Sequence, residues 1–220
     1  MQIWPTRRQP SPLDQLASEI LALPRGIRIV LADPPWEFRS NSLKVPGRNP
    51  RRHYACLTVA ELCRLPLAER LAEDAALFLW VPAPFLVIGP HIPLMRAWGF
   101  KPTARAFTWA KLNPRANPMC FGPNDFHMGP GLTTRKCVED VVLGKRGKSL
   151  RCDGGVRELI TAPLREHSRK PDAVHQRIER YVGGRGPFLE LFARQSRPGW
   201  ITLGDEATKF DLPCEIPDET

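Results

Sequence analysis

The chain has 220 residues, 42% of them hydrophobic, which is enough for one sizeable core and too long for a peptide module. Its 24 prolines and 16 glycines predict many loops on an ordered scaffold, short of a low-complexity tract. Lysine and arginine number 32 against 23 acids, for a net charge of +9, and this balance favours a polyanionic partner, nucleic acid ahead of a membrane surface, with plain solubility charge as the alternative.

In chain order, the start Met1-Gln2-Ile3-Trp4-Pro5 lacks a basic region followed by an apolar one, and no later run approaches the roughly 18–20 apolar residues that span a bilayer. A cytoplasmic protein is expected, with no membrane partner. Residues 1–25 are Pro-flanked and read as a possible N-terminal arm on a single domain covering 1–220. Short apolar runs at Ile27–Ala32, Ala75–Val81, Ala104–Ala110, Val138–Gly144, Val156–Ala162, Phe188–Ala193 and Trp200–Leu203 predict about seven strands. Helices are expected at Thr58–Leu71 and Asp172–Val182, and a weaker one at Phe85–Trp98, where Pro90 and Pro93 interrupt. The alternation is that of an α/β protein with a mostly parallel sheet flanked by helices. The six cysteines (Cys56, Cys63, Cys120, Cys137, Cys152, Cys214) include no C-x-x-C spacing, and packed reduced thiols are expected, with no metal site. The tail from residue 205 onward is acidic, with Asp205, Glu206, Asp211, Glu215, Asp218 and Glu219 against Lys209.

Two connections are long enough to suggest function, Glu37 to Cys56 and Asn113 to Lys136. The first holds Arg39, Lys44, Arg48, Arg51 and Arg52 without an acid between them, which suits a clamp on phosphates as well as a solvated loop. It follows Asp33-Pro34-Pro35-Trp36, placed where the strand Ile27–Ala32 ends. Ligands bind at the carboxyl ends of strands in open α/β sheets. The prolines stiffen the turn and carry no N–H, so carbonyls there are expected to face a ligand without competing donors. Trp36 would stack on a planar ring while Asp33 and the Pro34 carbonyl accept the hydrogens of its amino group. Gripping both N–H bonds of an adenine amine favours a tetrahedral nitrogen whose lone pair can reach an electrophile. Asp33 would take the proton or polarise it. A structural turn capped by Trp36 is the alternative.

On these residues the sequence resembles the N(6)-adenine methyltransferases related to the catalytic subunit of the eukaryotic mRNA adenosine methyltransferase, a family with many bacterial and phage members. The resemblance runs from about Gly26 to Asp205. It includes Asp33–Trp36, His53-Tyr54, Leu77–Val81, Trp98-Gly99-Phe100, Trp109-Ala110-Lys111, Glu139, Gly144–Gly147, Arg169–Asp172, Glu190–Arg194 and Pro198–Gly204. It implies a Rossmann-like fold and S-adenosylmethionine as methyl donor. It places Asp33 between donor and base, Lys170 at the methionine carboxylate, and Phe192, Arg194, Asp205 and Glu206 around ribose and adenine. Eukaryotic relatives carry amides where Asp205 and Glu206 stand. For substrate, the resemblance points to Trp36, Tyr54 and Glu139. Tyr54 could equally pack on the following helix, and Glu139 could form a strand-start salt bridge. His53 fits a structural or phosphate contact, and Arg39, Arg51 and Arg52 the backbone.

The expected reaction is methylation of the adenine N6 amine in nucleic acid, DNA ahead of RNA, with the base flipped out and the basic segments 39–52 and 145–151 on phosphates. The competing classes are a non-catalytic nucleic-acid-binding partner and a methyltransferase of protein or small amines. Asp33 and Trp36 favour adenine over those amines, because the amine-methylating relatives have Asn and Tyr there. A homodimer and a paired subunit both fit the sequence.

Overall fold

The structure is a computed structural model, described over residues 11–37, 56–129, 134–166 and 168–211. Seven strands form one sheet: β1 (Ile27–Ala32), β2 (Leu71–Val81), β3 (Lys101–Leu112), β4 (Val138–Arg146), β5 (Leu159–Pro163), β6 (Phe188–Leu191) and β7 (Trp200–Leu203). Their order is β5-β3-β4-β2-β1-β6-β7. β4 runs antiparallel to both neighbours, and every other pairing is parallel. The sheet is therefore mixed, with the parallel majority expected.

The strands are rich in Ile, Val, Leu and aromatics because both faces are covered. Leu77, Leu79 and Val81 of β2 enter one core with Ile27, Val30 and Ala32, while Ala76, Phe78 and Trp80 enter the other with Ile29 and Leu31. Helices α1 (Pro12–Ala22), α2 (Val59–Cys63), α3 (Ala83–Ile88) and α4 (His91–Ala97) contribute to the first core, and α5 (Ala173–Val182) to the second. In α5 the buried stripe is Val174, Ile178 and Val182, and the helix stops at Gly183 in the left-handed region, φ 62°.

Several predicted elements change. Pro12–Ala22 is no detached arm: Ser11 and Asp14 form a capping box, and Leu16 and Ile20 enter the core. The helix expected over Thr58–Leu71 breaks into the five-residue α2, Val59–Cys63, capped by Thr58, and a single turn at Leu67–Glu69, because Pro66 disfavours helix continuation and Leu71 already opens β2. Phe85–Trp98 splits into α3 and α4 at Gly89, φ 87°, and Pro90. β6 ends at Leu191, since Phe192 takes φ 61° and leaves the strand. In the connection after β3, the described residues 113–129 and 134–137 hold a short helical turn at Pro123–Asp125 and bridge Leu112 to Phe126 and Gly129 to Lys136.

Candidate active site

The carboxyl ends of β1, β2, β3, β5, β6 and β7 lie along one edge of the sheet, and β4, being reversed, brings its first residues to the same edge. Val81 of β2 pairs with Asp140, and Trp109 of β3 pairs with Glu139. Asp33 leaves β1 there, its N–H donating to the Leu191 carbonyl at 3.4 Å. The prolines do not leave their carbonyls open as expected. Trp36 N–H donates to Pro34 O, and Leu57 N–H to Pro35 O, each at 2.8 Å. These bonds define the turn, and a carbonyl's second lone pair stays available for another donor.

Trp36 is not the exposed stacking plate that the sequence suggested. It is 4% exposed, its indole N–H donates to the Trp80 carbonyl at 3.0 Å, and Phe85 meets it edge-on with ring centres 5.4 Å apart. Its role here is to anchor the turn that carries Asp33. Trp36→Ala should cost about 3–5 kcal/mol of stability from the cavity left behind, measurable by chemical denaturation.

Asp33 faces Lys170, Oδ2 to Nζ 2.9 Å, and the same ammonium reaches Glu139 Oε2 at 3.2 Å and lies 5.1 Å from the Trp80 ring centre. On its other oxygen Glu139 takes Lys111 Nζ at 2.5 Å. Charges thus alternate along the edge: Lys111, Glu139, Lys170, Asp33. Burial pushes the Asp33 carboxyl up, although Lys170 opposes it. Burial also opposes ionisation of Glu139, but Lys170 and Lys111 outweigh it and bring that group down to about 2. Lys170 is held above its ordinary range, with burial overcome by Asp33 and Glu139.

A depressed carboxyl pKa contributes stability above its unfolded value of about 4.5, and this is lost as pH falls through about 2. The difference in melting temperature between the wild type and Glu139→Gln should therefore shrink between pH 4.5 and 2, as thermal melts across that window would show.

Across the edge, Arg194 pairs with Glu206, Nη1 to Oε2 3.2 Å, and Glu206 is also held by Lys209. Asp205 is exposed. Phe192, half-buried at φ 61°, lies against Gly204, where a Cβ would sit 2.9 Å from the Phe192 Cα. The chain just past β6 and just past β7 is thus in close backbone contact, and the Arg194–Glu206 pair joins the same two segments. This edge offers Lys170 and Arg194 for a carboxylate, and Asp33 and Glu206 for an ammonium or ribose hydroxyls. That donor set matches the groups of S-adenosylmethionine.

Arg39, Arg51, Arg52, His53 and Tyr54 lie outside the described residues. The basic segment 145–151 does not join the site. Lys145 and Arg146 pair with Ala76 and Ala75, near the start of the central part of β2, roughly 23 Å of strand from Glu139. Lys111 and Trp80 join the centre without having been singled out as site residues. What could have pointed to them was their position at the carboxyl ends of β3 and β2. Among the described residues no cluster of three or more His, Cys, Asp or Glu could hold a metal, and no helix is long and apolar enough to cross a membrane.

A family model described as MT-A70 matches residues 27–206. The N6-methyladenosine RNA methyltransferase MTA1 of Cryphonectria parasitica is 32% identical, over 84% of this chain and 53% of its own length. The human N(6)-adenosine-methyltransferase catalytic subunit METTL3 is 30% identical, over 84% of this chain and 29% of its own. The mouse N(6)-adenine-specific methyltransferase METTL4 is 26% identical, over 82% and 37%. The chain spans about half or less of the length of these relatives. MT-A70 methyltransferases use S-adenosylmethionine. With its motif at the end of β1, its sheet order and a match covering most of its length, the chain belongs to the MT-A70 family of methyltransferases.

Proposed function

We propose that the chain methylates the exocyclic N6 amine of adenine in nucleic acid. The observation that carries this reading is the Asp33 carboxylate, held by Lys170 at the carboxyl end of β1 and followed directly by the Pro34 carbonyl. Two acceptors on adjacent residues suit a group with two N–H donors. S-adenosylmethionine supplies an electrophilic methyl group to the amine nitrogen. Asp33 and Pro34 fix the orientation of that nitrogen, and the raised pKa of Asp33 suits it to receive the proton the amine loses. Lys170 and Arg194 hold the donor's carboxylate and its ribose-adenine half, with Glu206 and Asp205 toward the hydroxyls. Phe192 lies beside them at the end of β6.

DNA is the first substrate reading, from the sequence expectation alone; the printed name of METTL4 specifies adenine and no polymer. RNA is the second, from the printed name of MTA1. Segment 39–52 is the proposed phosphate contact, by its charge. A homodimer or a paired subunit and a cytoplasmic location remain part of the same reading. The test is transfer of labelled methyl to duplex DNA, single-stranded DNA and RNA, followed by nucleoside analysis. N6-methyladenine from any arm supports the reading and selects the substrate. No product from any of them, with S-adenosylmethionine bound, overturns adenine methylation by this chain alone and moves the reading to a required partner subunit or a non-nucleic-acid amine.

A further inference from the structure

Lys170 stands at the centre of the charge chain, yet the backbone that carries it, between β5 and α5, forms no helix or strand over residues 164–166 and 168–172. Side chains set its position instead. The Arg165 guanidinium donates through Nη2 to the carbonyl of Lys170 itself and through Nη1 to Asp172 Oδ2 at 2.8 Å. Asp172 Oδ1 accepts from Arg197 Nη2 at 2.5 Å, and Arg197 lies on the connection between β6 and β7. A second tie runs in parallel: Arg169 binds both Glu166 oxygens at 3.1 Å, donates to Gln195 at 2.8 Å, and has its guanidinium 5.1 Å from the Phe210 ring centre. The Lys170 segment is thus fastened at two points to the connection that presents Arg194.

Asp172 occupies the N-cap position of α5 but makes no side-chain cap bond. Aspartate there ordinarily stabilises a helix by bonding its first N–H groups. Here the carboxylate is committed to two guanidiniums, which hold its pKa down although burial opposes them. Its side chain is 42% exposed, and ion pairs at that exposure contribute little to stability. Geometry is what the arrangement supplies.

We infer that Asp172 is a positioning residue. Through Arg165 it fixes the backbone of Lys170, and through Arg197 it sets the spacing between Lys170 and Arg194, the two cations assigned to opposite halves of the methyl donor. The inference rests on the methyltransferase reading above.

A double-mutant cycle tests it, with the affinity for S-adenosylmethionine measured by calorimetry on the wild type, Asp172→Asn, Lys170→Ala and the double variant. Expected is a roughly tenfold weakening in Asp172→Asn, and no further weakening when the change is added to Lys170→Ala, because Asp172 acts through Lys170. Arg197→Met, which cuts the tie from its other end, should weaken binding to a similar degree. Unchanged affinity in Asp172→Asn, or an effect that persists undiminished in the Lys170→Ala background, overturns the inference. So does a lowered melting temperature with unaltered affinity, the mark of a purely structural role. A wild type that does not bind S-adenosylmethionine at all would overturn the functional reading, and the positioning role with it.

Discussion

Asp33→Ala should lower methyl transfer by at least about 10²–10³-fold, the loss that follows when one preorganised electrostatic contact to a reacting group is removed. The argument lies in where the carboxylate stands. It is half-buried at the end of β1, and its backbone is tied to Leu191 and to the turn anchored by Trp36, so it can meet an amine without reorganisation. Truncation should leave the fold nearly as stable. Removing the carboxylate also removes the cost of burying its charge, and Lys170 retains Glu139 as a partner at 3.2 Å. Single-turnover kinetics with saturating donor, run beside a thermal melt, would check both halves. Substantial remaining transfer would show that the carboxylate is dispensable.

Lys170→Ala should act more broadly. It removes the cation between two carboxylates and leaves Asp33 without its nearest counter-charge, while Glu139 keeps Lys111. Stability should fall by up to about 3–5 kcal/mol, because one partner of a half-buried ion network is gone. Donor affinity should fall roughly tenfold or more, as expected for the loss of a charge-assisted contact. The pH dependence gives the sharpest signature. Burial already pushes the Asp33 carboxyl up and Lys170 restrains it, so without Lys170 its pKa rises further. If ionised Asp33 is the acceptor, the acidic limb of the rate profile moves to higher pH. A profile unshifted in Lys170→Ala would separate the lysine from the aspartate's protonation.

The strands were legible because both faces of the sheet are buried, and a doubly covered strand reads as an unbroken apolar run. All seven predicted runs hold a strand, Ile27–Ala32 and Trp200–Leu203 with the expected bounds and the other five with altered ends. The short helices were less so. α2 lies in a stretch whose helical pattern continues to Leu71, and only the tertiary pairing of Leu71 with Ile27 makes that residue a strand. The prolines flanking residues 1–25 read as an arm, although Ser11-Pro12-Leu13-Asp14 spells the capping box that starts α1. At the site, the Asp33 turn was readable from four adjacent residues. The partners of Lys170 were not, since Asp33 follows β1 while Glu139, itself held by Lys111 of β3, stands on β4, and they meet only through sheet order. The burial of Trp36 was likewise invisible: an aromatic ending a rigid turn reads the same whether it faces a ligand or the core.

The reversal of β4 has an architectural corollary. Because β3 leaves the sheet and β4 re-enters it at the edge that carries Asp33, the connection between them starts and ends there, and the ladder of the two strands runs from that edge, where Ala110 pairs with Val138, back to Lys101 and Lys145. Each doubling of such a loop adds only about 0.6 kcal/mol of closure entropy. A longer or shorter connection there therefore costs the fold little, so the surroundings of Asp33 can change without disturbing the strands that place it.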